Sequence, residues 1–308
     1  MPIAFFILRL FMFFLLAAFG SPLFYAFAVI IESQLSNRTF KHQTTMIFYI
    51  SLMNAVFVPL VMFLGWPSVP STAAIVCYVL LAFLDIVYLY PYYTAMKVID
   101  TSIVAALFSL GQITIPVMTY LWLDERLSLT QYIGFAIIIM SSIALSIKGT
   151  KIPKLNRAFY YMVGASLLRA FYVVLEKYVL IEDGNWINMV IYPNLISGFM
   201  PFVFLLVGNW RKDIVRNFPP YLHRFKIFAV NEFLCFLGLA CGVYGLSGLS
   251  PVVSTSIGAT QPIFMLGLSY FILKHFGLPL KEKLTARIIM KKLYCFVLII
   301  LGVVLVVQ

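Results

Sequence analysis

Residues 73–96 read AAIVCYVLLAFLDIVYLYPYYTAM, a run whose single charged residue is Asp85. A helix of that length crosses the roughly 30 Å hydrocarbon core of a bilayer. Nine further runs share its apolar character. Together the ten predicted spans cover 3–31, 45–65, 73–96, 101–121, 130–147, 158–181, 187–208, 226–246, 250–273 and 289–307. None shows the alternation of a membrane barrel strand, so helices are the expected element. Short connectors such as Gly65-Trp66-Pro67-Ser68-Val69-Pro70 carry prolines that stop a helix. The first run holds Ala18-Phe19-Gly20, which mimics a leader cleavage site. Its apolar sequence continues to Ile31 and no basic leader precedes it, so it is expected to be a span.

Composition agrees with this reading. The 308 residues are 63% hydrophobic and 11% charged, against about 25% charged in a typical soluble domain. A water-soluble fold of this size cannot hide so much apolar surface. Soluble enzymes, nucleic-acid-binding domains and disulfide-stapled modules are therefore excluded. The predicted fold class is an all-α polytopic membrane protein with ten transmembrane helices.

The net charge of +11 does not mark a nucleic-acid partner, because the basic residues lie between apolar runs. Eighteen of the 22 Lys and Arg fall in connectors after odd-numbered spans, including Lys148, Lys151, Lys154 and Arg157. Only Arg9, Arg126 and Lys177 fall on the other side. The positive-inside rule places the odd connectors in the cytoplasm and both termini outside. Cys77, Cys235, Cys241 and Cys295 all sit within apolar runs and are expected to be inert thiols.

The chain also answers itself at an offset of about 149 residues. Asp100-Thr101-Ser102-Ile103-Val104-Ala105 matches Leu249-Ser250-Pro251-Val252-Val253-Ser254, and Gly111-Gln112-Ile113 matches Thr260-Gln261-Pro262. Phe24-Tyr25 and Phe171-Tyr172 are a looser echo. Five spans per copy is an odd number, so the copies would enter the membrane from opposite sides. The expected units are 1–150 and 151–308, two inverted five-helix repeats with a site between them near the midplane.

Ala105-Ala106-Leu107 through Leu123-Asp124-Glu125, Ser250-Pro251-Val252 through Gln261-Pro262, and Ala170 through Lys177 carry a resemblance across nearly all ten helices. The chain resembles the drug/metabolite transporter superfamily, specifically its EamA-type members. The resemblance implies a transporter built from two such halves. Members are commonly drawn with both termini in the cytoplasm, opposite to the orientation that this charge pattern predicts.

Polar residues inside spans mark the candidate substrate-binding site. Asp85 lies mid-span with Tyr88 and Tyr92 on its stripe at i+3 and i+7. Together they could cradle a cationic or amphipathic solute, or Asp85 could pair with an Arg while the tyrosines pack. Withdrawal from water penalises the charged carboxylate, which makes Asp85 the expected proton-coupling group. Arg169 is the arginine deep inside a span. It needs an anionic partner, either Asp85 or Glu232 on a neighbouring helix or a substrate carboxylate or phosphate. Glu232 is expected to snorkel toward the membrane edge or to face substrate. Gln112 and Gln261 are expected to meet across a central cavity, with Pro116 and Pro262 loosening their helices.

His42, His223 and His275 lack metal-ligand spacing, and no hydrolase elbow or phosphate-cradling loop occurs, so neither catalysis nor a cofactor is expected. The function expected is secondary transport of a small polar or amphipathic metabolite by alternating access, driven by protons or exchange. The expected setting is a bacterial cytoplasmic (inner) membrane. A flippase of a lipid-linked or lipid-like substrate is the alternative. The partners implied are a small-molecule substrate, the lipid bilayer and protons.

Overall fold

The computed structural model describes residues 2–38, 42–98, 111–146, 157–265, 267–268 and 286–307. The predicted connector 148–157 lies almost wholly outside these residues, as do the first half of the predicted span 101–121 and His275. Every described element is helical. That is the outcome hydrocarbon demands, because only a helix satisfies its own backbone polar groups segment by segment.

In chain order the helices are α1 (Pro2–Arg38), α2 (Gln43–Phe57), α3 (Thr72–Val98), α4 (Ile115–Leu123), α5 (Leu129–Ser146) and α6 (Arg157–Asp183). They continue as α7 (Trp186–Phe199), α8 (Gly208–Arg216), α9 (Phe218–His223), α10 (Phe225–Gly248), α11 (Pro251–Gly258) and α12 (Ala286–Val307). Among the described residues, five stretches are long and apolar enough to cross a membrane: Arg9–Glu32, Gln43–Phe63, Thr72–Ala95, Trp186–Leu206 and Phe225–Gly248. Leu129–Ser141 and Leu293–Val307 are shorter apolar helices. The length of α6 would also suit a crossing, but Arg169, Glu176 and Lys177 lower its hydropathy.

Two helices change character at the same kind of step. Both α2 and α7 tighten into 3-10 turns, Val58–Phe63 and Met200–Leu206, each with a proline in its first two positions. Proline has no N–H to continue the i→i−4 ladder, so the helix rewinds there.

Small residues set a close helix seam between α1 and α10. Down one face of α10, Gly238, Gly242, Gly245 and Gly248 meet Tyr25, Ser21, Ala18 and Phe14 of α1 in turn. A Cβ at Gly245 would lie 3.0 Å from Ala18 backbone atoms, so the two backbones touch only because the side chain is missing. Lys177 Nζ, on α6, donates to the Leu246 and Ser247 carbonyls at 2.9 and 3.2 Å, satisfying the end of α10.

Polar contacts pin both ends of the bundle. At one end, α6 stops at Gly184, whose φ of 68° is the left-handed conformation glycine adopts freely. Asn185 then caps α7 by accepting from the Ile187 N–H at 2.9 Å. Beside it, Tyr78 Oη and Asn188 Nδ2 donate to Asp183 at 2.7 and 2.6 Å. Asn188 also bonds both the Ser68 hydroxyl and the Ser68 N–H at 2.8 Å, which ties the 64–71 connector down.

At the other end lies α8, with Arg211, Lys212 and Arg216 exposed and Ile214 buried, as in a helix lying at a membrane interface. Thr45 donates to Asp213, and Tyr49 Oη donates to the Ile214 carbonyl at 2.7 Å. The Tyr49 ring stacks on Tyr221 at 4.3 Å between centroids. Burial, followed by the nearby Glu232 carboxylate, raises the Tyr221 phenol above its ordinary range, so a neutral ring is stacked there.

Candidate functional site

A cavity of about 350 Å³ lies among α1, α3, α6, α10 and α11. Asp85, Tyr88, Tyr92, Gln112, Arg169, Glu232 and Gln261, the seven residues singled out from sequence, all line it. The physical cause is common to them. A charge or amide too costly to face lipid turns toward protein or water, and here the inward faces converge.

Arg169 stands in the middle of α6. Its guanidinium carbon lies 4.4 Å from the Tyr172 ring centroid and 5.7 Å from that of Tyr88. Its Nη1 is 4.0 Å from Asp85 Oδ1. The side chains of this pair remain 26% and 23% exposed, so they face the cavity rather than closed protein. Two aromatic faces and one carboxylate together hold a cation that cannot give up its proton. Tyr88 and Tyr92 stay on one stripe, their ring centroids 6.4 Å apart.

Glu232 corrects the snorkelling reading. It is 2% exposed, lies two turns inside α10 and faces the cavity. Asn231 Nδ2 donates to its Oε1 at 2.7 Å. It does not snorkel, because Asn231 holds its carboxylate and the carboxylate of Glu32 and the thiol of Cys235 lie beside it, all on the inward side of the helix.

Gln112 and Gln261 both line the cavity, but their local settings differ. Two helices break beside them. Thr114 donates to the Gly111 carbonyl from N at 3.1 Å and from Oγ1 at 2.7 Å. Thr260 repeats this on the Ile257 carbonyl at 2.9 and 2.7 Å. A proline follows each threonine by two residues, Pro116 and Pro262. The hydrogen bonds therefore align Thr114-Ile115-Pro116 with Thr260-Gln261-Pro262, an offset of 146 residues. On that register Gln261 corresponds to Ile115, and Gln112 to Gly258. Matching the two breaks therefore gives a register three residues away from the one that pairs the two amides by residue type.

Several cavity residues were not selected from sequence. Tyr25 and Tyr172, flagged only as a repeat echo, both line the wall, as do Glu176, Asn54 and Asn194. Glu32 was read as flanking sequence because the first span was ended at Ile31. The helix instead runs to Arg38 and carries Glu32 into the cavity, where Tyr93 Oη donates to its Oε1 at 3.2 Å. Among the described residues, carboxylate oxygens of Glu32 and Glu232 and the Cys235 Sγ lie within 4.8 Å of one another. Cys235 thus borders the cavity and is only half-buried.

Residues 12–147 match the model of the EamA-like transporter family. No curated protein matches the chain. A solved crystal structure of a protein 12% identical in sequence is similar over 93% of this chain and 96% of its own, with a TM-score of 0.57. At that identity the likeness concerns the fold alone.

Proposed function

We propose that the chain is a ten-helix secondary transporter for a small polar or amphipathic metabolite with an anionic group. It works by alternating access between two inverted five-helix halves, 1–150 and 151–308. We take the membrane to be a bacterial cytoplasmic one. The observation that carries the reading is Arg169, a permanent cation whose open side faces a cavity of about 350 Å³. A volume of that order suits a small ligand. The matched breaks at Thr114 and Thr260 support the paired halves, since discontinuous helices are where such transporters bend.

The Arg169–Asp85 contact gives proton coupling a physical route. At 4.0 Å the pair is loose. A substrate carboxylate or phosphate that docks bidentately on the guanidinium takes the place of Asp85. An uncompensated carboxylate in a dry cavity is costly and is neutralised by a proton. Substrate and proton then travel together, and release of the substrate lets Asp85 return to Arg169 as it sheds the proton. Tyr88, Tyr92 and Tyr172 supply walls for the apolar part of the solute, while Gln112 and Gln261 offer donors and acceptors.

Reconstitution into liposomes tests the proposal. Counterflow of a small anionic metabolite is the expected result. Lipid translocation without solute exchange would favour a flippase, and neither activity would sink both.

A further inference from the structure

Asp85 has Arg169, but Glu32 and Glu232 have no such neighbour: among the described residues no basic side chain forms an ion pair with either. Both carboxylates are buried, 9% and 2% exposed. They stand on helices packed tightly together, α1 and α10, and with the Cys235 Sγ their oxygens fall within 4.8 Å of one another. Tyr93 donates to Glu32, and Asn231 Nδ2 donates to Glu232 and lies 3.9 Å from the Cys235 Sγ. Two hydrogen-bond donors solvate two carboxylates without cancelling their charge. Asn231 itself is fully buried, and its Oδ1 has no hydrogen-bond partner among the described residues.

We propose that Glu32, Glu232 and Cys235 bind a divalent transition-metal ion of the zinc class, with Asn231 Oδ1 as a fourth donor after a half-turn of its amide. A charge of +2 cancels the two carboxylates. The sulfur selects against magnesium and calcium, which take oxygen ligands, and for ions that accept mixed sulfur and oxygen donors. Bonds of 2.0–2.3 Å give a tetrahedron with edges of about 3.3–3.8 Å, so side-chain rotations of about 1 Å close the three donors on an ion without moving a helix. A shared proton would balance one carboxylate and leave the thiol and the amide oxygen without a role; the metal uses all four groups. What the ion does in the cavity rests on the transport reading, whereas its binding does not.

The test is Co²⁺ titration of the full chain, purified in detergent and stripped with EDTA. The expected result is one Co²⁺ per chain, a thiolate-to-cobalt absorption in the near ultraviolet and intense visible bands of a four-coordinate ion, all erased by Zn²⁺. Cys235→Ser removes the near-ultraviolet band, and Glu32→Gln and Glu232→Gln each weaken binding about tenfold or more. Cys295→Ser, at a buried cysteine outside the site, leaves the spectrum unchanged. A folded wild-type protein that shows no saturable Co²⁺ binding overturns the proposal, as does a near-ultraviolet band that survives Cys235→Ser. Counterflow on the same preparation separates the two ideas. Exchange without cobalt binding sinks the metal site alone, and cobalt binding without exchange sinks the transport reading alone.

Discussion

Asp85 on α3 and Glu232 on α10 line the same cavity, yet their charges are handled in opposite ways. Asp85 faces a fixed cation, Arg169, which is itself laid over Tyr88 and Tyr172. Glu232 faces another carboxylate, Glu32, and its partners among the described residues are a neutral amide and a thiol. One side of the cavity is self-contained and must be broken open by a ligand. The other, on the metal proposal, is completed by one. A single pocket can thus present two chemistries, an anion-binding wall and a cation-binding wall, although the acidic residue type is the same on both.

The comparison breaks most severely at Arg169. Arg169→Gln is expected to lower counterflow about a hundredfold, because the bidentate anchor for an anionic group is gone. It also leaves Asp85 unpartnered, and stability should fall by about 1–3 kcal/mol in thermal unfolding, a discounted figure because the pair faces the cavity. Adding Asp85→Asn should restore stability and leave transport lost. Restored transport would show that Arg169 serves structure alone.

On the opposite wall the sign reverses. In EDTA and above neutral pH, Glu232→Gln should raise the unfolding midpoint, with a gain of about 1 kcal/mol, since it removes a buried carboxyl that would otherwise have to ionise beside another while keeping an oxygen to accept from Asn231. Wild-type protein should gain stability from added Zn²⁺ and this variant should gain much less. A variant destabilised in EDTA would mean that the two glutamates already share their charge satisfactorily.

The seam between α1 and α10 sharpens the contrast, because it brings Glu32 to Glu232 and leaves the α3–α6 wall alone. Gly245→Ala drives a methyl into the Ala18 backbone, whereas at Gly242 the nearest atom is the Ser21 hydroxyl, which can rotate away. Gly245→Ala should cost about 1–3 kcal/mol and Gly242→Ala clearly less. Equal costs would show that the seam is not the tight contact described. The smallest effect is expected at Tyr49→Phe, which removes one bond to the Ile214 carbonyl and should cost about 1 kcal/mol without altering either wall.

Much of this was legible in the sequence, for one reason. Lipid penalises polar groups, so Asp85, Arg169, Gln112 and Gln261 announced themselves by standing inside apolar runs. The same rule failed at Glu32, which lies at the border of a run, where a charge usually means that the span has ended. It also misplaced Glu232, whose inward placement follows from the packing of α10 on α1, which no hydropathy profile shows. Cys235 looked inert because a thiol is apolar in a sequence, and only the packing of α1 on α10 sets it beside two carboxylates. The breaks suggest another register than the residue types do for a related reason: glutamines stand out in an apolar run, whereas the threonine hydrogen bonds at the two breaks exist only in the folded helices.

The central claim is that Arg169 holds the anionic group of a transported solute. Its most direct test is counterflow of labelled anionic metabolites into proteoliposomes, run in parallel for wild type, Arg169→Gln and Arg169→Lys. Exchange by wild type, loss with Gln and partial recovery with Lys, a point charge that lacks the bidentate fork, is the result expected. Undiminished exchange by Arg169→Gln would contradict it.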